Sequence, residues 1–203
     1  MQPTKEGKIS VSVMCSDLMN LERDIKQLER NGVDYLHVDV MDAHFVPNLT
    51  FGVDFIAAMH RVTKLPLDIH LMVEHPLPIM EAMDIRPGDR ISLHVELGEQ
   101  LHELAKAIRA RGAHFGLVVN PSTPVEALTP YLDEIEWVIL MLVQPGFAGA
   151  KLIDGILDKV AAARRFLDEH GHPETEISVD GSVSCERARL MRDMGASIFV
   201  GGT

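Results

Sequence analysis

Cysteine is scarce in this chain of 203 residues: Cys15 and Cys185 are the only two. They lie far apart, with no metal or redox spacing, and no secretory signal precedes them. They therefore read as reduced thiols in a cytoplasmic protein. Positive charge is also short. With 19 Lys and Arg against 30 Asp and Glu, the formal net charge is −11, and no basic block is present. That argues against a nucleic-acid or membrane-surface partner. An anionic substrate stays open, because backbone amides bind phosphate without side-chain charge. No apolar run reaches membrane-spanning length. There is no low-complexity tract and no linker, so residues 1–203 are expected to form one domain.

What is present is a regular alternation. Strands are expected at Ile9–Met14, Tyr35–Val40, Leu67–Leu71, Ile91–His94, Phe115–Val119, Trp137–Val143, Ile177–Val179 and Ile198–Val200. Helices are expected at Leu18–Arg30, Asp54–Arg61, Pro76–Met83, Gln100–Arg111, Val125–Leu132 (weak), Ile156–His170 and Cys185–Met194. In the first helix, Leu18, Leu21, Ile25 and Leu28 make one stripe. Eight β units alternating with seven helices predict a parallel sheet with right-handed crossovers, closed into a (β/α)8 barrel. No GxGxxG follows the first strand, which weakens the open dinucleotide-binding alternative. The sequence stops at Gly201-Gly202-Thr203, where an eighth helix should begin. The expectation is a C-terminally truncated barrel, with apolar surface exposed outside its first and last strands.

The chemistry concentrates in YLHVDVMDAHFVPN, Tyr35 to Asn48. On a strand, residues two apart share a face, so His37, Asp39 and Met41 point together. LDIHLM repeats the pattern with Asp68, His70 and Met72, and ISVDGSV places Asp180 at a strand end. His37, Asp39, His70 and Asp180 are expected to converge on one divalent metal. Two imidazoles and two carboxylates suit zinc, manganese, iron(II) or cobalt better than magnesium. Any one of them alone reads better as a buried polar group bonded to a loop; all four at strand ends favour the metal. Glycines after the late strands (Gly146 and Gly149, then Gly181 with Ser182, then Gly202 with Thr203) predict a phosphate grip of backbone amides rather than tight turns alone. Met41, Met72 and Met141 are expected to wall the pocket, although a strand methionine is ordinarily core filler. Ser12 offers a hydroxyl to the same space. His94, Glu96 and Asn120 divide evenly between pocket lining and structural roles, and His44 is a weaker candidate.

Two carboxylates, a metal and a phosphate grip, without a catalytic lysine, point to proton transfer next to a carbonyl. The metal would bind the carbonyl and hydroxyl oxygens and stabilise an enediolate as a Lewis acid. One carboxylate would take the α proton and the other return one from the opposite face.

Together HVDVMDAHFVPNLTFG, PLDIHLMV, LVVNPSTPVEAL, VQPGFAGA and SVDGS resemble the ribulose-phosphate 3-epimerase family, in register from Ile9 to Thr203. The resemblance implies a (β/α)8 barrel and metal-dependent 3-epimerisation of a phosphorylated ketose. It implies His37, Asp39, His70 and Asp180 as metal ligands, with Asp39 and Asp180 as the acid/base pair. It implies Ser12 and the three methionines in the substrate pocket, and Gly146, Gly149, Gly181, Ser182, Gly202 and Thr203 at the phosphate. SVMCSDL, Ala148 in PGFAG, VDGS and the terminal GGT look more like the branch acting on D-allulose 6-phosphate than the one acting on D-ribulose 5-phosphate. Ala43 stands where both branches usually carry glycine, and a positive φ there would strain the loop. A self-associating protein is expected. The alternatives are a sugar-phosphate-binding barrel without activity, or a decarboxylase or aldolase of a related barrel. The second would need a lysine two residues beyond Asp39, where Met41 stands.

Overall fold

In the computed structural model, which describes residues 7–202, eight parallel strands close in sequence order into one barrel. The strands are β1 (Lys8–Ser12), β2 (Tyr35–Met41), β3 (Leu67–Met72), β4 (Arg90–His94), β5 (His114–Val119), β6 (Trp137–Met141), β7 (Glu176–Asp180) and β8 (Ile198–Gly201). Around them lie α1 (Leu21–Arg30), α2 (Val53–Val62), α3 (Pro76–Ala82), α4 (Leu101–Arg109), α5 (Asp158–Glu169) and α6 (Cys185–Asp193). The β1–β8 pairing, Ile9 against Phe199, completes the ring. The (β/α)8 expectation therefore holds. No described helix is long and apolar enough to cross a membrane.

Period-two alternation sorts the residues. Leu36, Val38, Val40, Ile69, Leu71, Leu117, Leu140 and Val179 face outward and are buried under the helices in one continuous core. Their neighbours in sequence fill the barrel interior. Near the N-terminal ends of the strands, Arg90 lies between aromatic rings, its guanidinium carbon 3.9 Å from the Trp137 ring and 4.6 Å from that of Tyr35. Gly116 makes that arrangement possible, since a Cβ there would sit 2.3 Å from the Trp137 ring.

Three expectations need correction. The first strand ends at Ser12, and Val13–Cys15 form a 3-10 turn. The first helix begins at Leu21, and Leu18 is 51% exposed rather than part of the buried stripe. Asp17 is the reason: its carboxylate accepts from the Met19 N–H and the Asn20 side-chain amide, a turn that competes with helix. The weak helix is 3-10 geometry over Val125–Tyr131, with Pro130 inside it. Outside the first and last strands the exposure is uneven: Ile9 is 50% exposed, whereas Phe199 is 8%.

Candidate metal centre and phosphate pocket

Register places the polar residues together. Asp39 pairs directly with His70 across β2 and β3, and Met41 with Met72 one step further on. Asp180 pairs with Met141 across β6 and β7. One donor atom from each of His37, Asp39, His70 and Asp180 falls within 4.8 Å of the other three. His37 Nε2 lies 3.3 Å from Asp39 Oδ1 and 3.8 Å from Asp180 Oδ2. His70 Nδ1 lies 3.4 Å and 3.9 Å from the same two oxygens. Both imidazoles are fully buried. Both of these nitrogens lack a well-formed hydrogen bond.

Two orphaned, buried lone-pair sites aimed at the same two carboxylates are what a divalent cation requires, because an unpaired buried polar atom is otherwise unfavourable. The donor set is N2O2, so the residues fit a transition ion. The surroundings orient them. His37 turns its other nitrogen to Asp68, with Nδ1 2.9 Å from Oδ2. Ser10 also donates to that carboxylate, at 2.7 Å. Asp68 is therefore the partner of His37 and not a fifth ligand. The sequence carried the cue, since Asp68 shares the inward face of β3 with His70. Ser12 donates to Asp39 Oδ2 at 2.9 Å, which confirms its place beside the cluster.

The two carboxylates are pushed apart in proton affinity. Burial works to raise Asp39, but the adjoining His37 and His70 outweigh it and hold it well below the ordinary range. Burial lifts Asp180 to about 7, helped by the negative charges of Asp39 and Asp68 and opposed by His37. Burial and neighbouring charge thus set the two acids apart in the metal-free site.

Above the cluster a cleft opens at the C-terminal ends of the strands. It is lined by Ser12, Met41, Met72, Met141, Gly146, Gly149, Gly181, Ser182 and Gly202, together with Asp39 and Asp180. Every pocket residue expected from the sequence is among them except Thr203, which lies outside the described residues. Met14 and Cys15, not singled out from the sequence, also face it. Gly181 has φ +107° and its absent Cβ would meet Val143 at 2.5 Å, so only glycine fits there. Ser182 holds a φ of 53°. Arg187, in the first turn of α6, supports it by donating to its carbonyl at 2.5 Å and its hydroxyl at 2.8 Å.

His94, Glu96, Asn120 and His44 do not line the cleft. His94 packs behind His70 instead, Nε2 to Nε2 at 2.9 Å. Asn120 and Thr123 anchor Glu96 through the Asn120 backbone N–H and the Thr123 hydroxyl. His44 turns back to the carbonyl of its own loop residue Asp42.

A family model described as the ribulose-phosphate 3 epimerase family matches residues 8–203. A ribulose-phosphate 3-epimerase of Bacillus subtilis (strain 168) is 40% identical over 196 residues, 97% of this chain and 90% of its own length. One from Treponema pallidum (strain Nichols) is 38% identical over 96% and 89% of the two chains. Among solved structures, a mutant tryptophan synthase alpha-subunit from Pyrococcus furiosus superposes with a TM-score of 0.68 at 16% identity, over 98% of this chain and 88% of that one. At that identity the likeness concerns the barrel alone.

Proposed function

The chain belongs to the ribulose-phosphate 3-epimerase family, and from that premise we propose that it inverts C3 of a phosphorylated ketose, D-allulose 6-phosphate or D-ribulose 5-phosphate. The supporting observation is the convergence of Asp39 and Asp180 with two buried imidazoles at the floor of a glycine-lined cleft. Asp39, kept ionised, accepts the C3 proton. Asp180 delivers a proton to the other face of the same carbon, and the centre inverts. The two roles exchange in the reverse direction. A divalent ion held by His37, Asp39, His70 and Asp180 would supply Lewis-acid polarisation of the ketose carbonyl. The backbone at Gly149, Gly181, Ser182 and Gly202 grips the phosphate, while Met41, Met72 and Met141 give the sugar a soft wall. This reading includes self-association, because Ile9 on the outer face of β1 is half exposed. A single 22.5 kDa species at all concentrations in sedimentation would remove that part.

The test is deuterium incorporation at C3 in D2O, followed by NMR, with each ketose phosphate and with and without chelator. Chelator-sensitive exchange is expected, lost in Asp39→Asn and in Asp180→Asn. The faster substrate identifies the branch. No exchange with either substrate after metal is restored would replace the epimerase by a sugar-phosphate-binding barrel.

A further inference from the structure

His94 is buried to 0% exposure, points away from the cleft opening and takes no part in the proton transfers above. Yet its ring touches a candidate ligand directly. His70 Nε2 and His94 Nε2 are 2.9 Å apart, so one nitrogen carries the shared hydrogen and the other accepts it. When His70 Nδ1 takes an ion, the hydrogen lies on His70 Nε2 and His94 must accept it. Its Nδ1 is buried, lacks a well-formed hydrogen bond and lies 3.3 Å from Glu96 Oε2. Glu96 already accepts from the Thr123 hydroxyl and the Asn120 N–H, as an ionised carboxylate does. A carboxylate cannot donate, so the hydrogen of a neutral His94 belongs on Nδ1. That leaves its Nε2 bare, and the shared hydrogen then sits on His70 Nε2. His70 Nδ1 is then the nitrogen that would donate to an ion held between Asp39 and Asp180. Phe45 packs against His94 as well, ring centroids 4.6 Å apart.

We propose that Glu96 and His94 form a positioning chain that holds His70 in the tautomer whose Nδ1 donates to the ion. The inference rests on the metal reading above, but concerns residues outside the ligand set. It gives the two imidazoles parallel support: His37 leans directly on a carboxylate, Asp68, while His70 reaches one through a second imidazole. Such supporting partners ordinarily matter by 10–100-fold in metal affinity.

The decisive measurement is nitrogen NMR on histidine-labelled, zinc-loaded wild-type protein. The expected pattern is His70 protonated on Nε2, His94 protonated on Nδ1, and a through-hydrogen-bond coupling between the two Nε2 atoms. A hydrogen on His94 Nε2, or no coupling between the two Nε2 atoms, overturns the proposal. Wild-type protein that takes up no zinc overturns the metal reading and the chain with it, whereas zinc held with the wrong proton pattern overturns the chain alone. The second measurement is zinc affinity by competition with a chelator. His94→Phe keeps the ring packing but offers no acceptor, and should weaken zinc about 10–100-fold. His94→Gln places an amide oxygen near the old Nε2 and should recover most of that loss. Equal affinity in the Phe variant and the wild type would overturn the proposal. If the Phe variant fails to fold, Glu96→Ala takes its place, with the same expected weakening and the same reversal.

Discussion

Ala43, like Ser182, has a backbone that runs against its own chemistry. Its φ is 62°, a region that disfavours a Cβ. The surrounding turn enforces it: the Asp42 carboxylate accepts from the N–H groups of His44 and Phe45 at 2.8 Å each, and Ala43 N–H donates to the Asn48 carbonyl at 2.9 Å. Ala43→Gly should raise stability by roughly 0.5 kcal/mol in urea unfolding, about 1 kcal/mol of relieved strain less the added freedom of the unfolded chain. Glu96 makes a pH-dependent contribution. Burial works to raise it, but His94 and Thr123 hold it at about 2, below its ordinary 4.5. A depressed carboxylate stabilises the fold above its unfolded value and loses that contribution as pH falls through its folded value. Wild type should therefore exceed Glu96→Ala in stability at pH 6, with the gap closing between pH 4.5 and 2. Because Glu96 sits near the surface, the gap is modest. A gap that stays constant into acid would remove the ionised role.

Strands β5 and β6 fit each other through an absence. Gly116 stands opposite Trp137 in the register, and the indole occupies the space a side chain would take. Trp137 is in turn covered by the Arg90 guanidinium. Gly116→Ala should lower stability by about 1–3 kcal/mol, the range for overpacking, read from the denaturation midpoint. Wild-type stability in that variant would mean the indole moves freely. The HFGLVV segment reads as a strand from its own residues, but the reason for its glycine lies on the next strand. The first helix shows the converse: an apolar stripe extends to Leu18, yet hydrogen bonds from Asp17 stop the helix short of it.

The barrel as a whole holds four candidate ligand residues from three strands against one another, with two carboxyl groups near one centre. Metal-free protein should therefore be measurably less stable than loaded protein. With free zinc at 100 times its dissociation constant, the gain should be about 2.7 kcal/mol, seen as a higher Tm that chelator reverses. Because the ligands must shed protons to bind, the gain should shrink as pH falls below 6. A Tm indifferent to zinc and chelator would exclude the site.

The sequence by itself determined the strand and helix order, the barrel and the membership of the cluster. Period-two alternation decides which side chains share a face before any contact is made, and eight such units leave few ways to close. His37, Asp39, His70 and Asp180 were legible because each stands at a strand end among apolar residues. Thr203, named with them for the phosphate, lies outside the described residues. What only the tertiary structure decided is direction and partnership. The sequence lists Asp68, His94 and Glu96 as polar residues near the site. Only packing turns Asp68 toward His37 and away from the centre, and sets His94 behind His70 instead of in the cleft. The same holds for Gly116 and Trp137. A residue's face is local geometry, fixed by the pleat. Its partner depends on register and barrel closure, which join residues far apart in the chain.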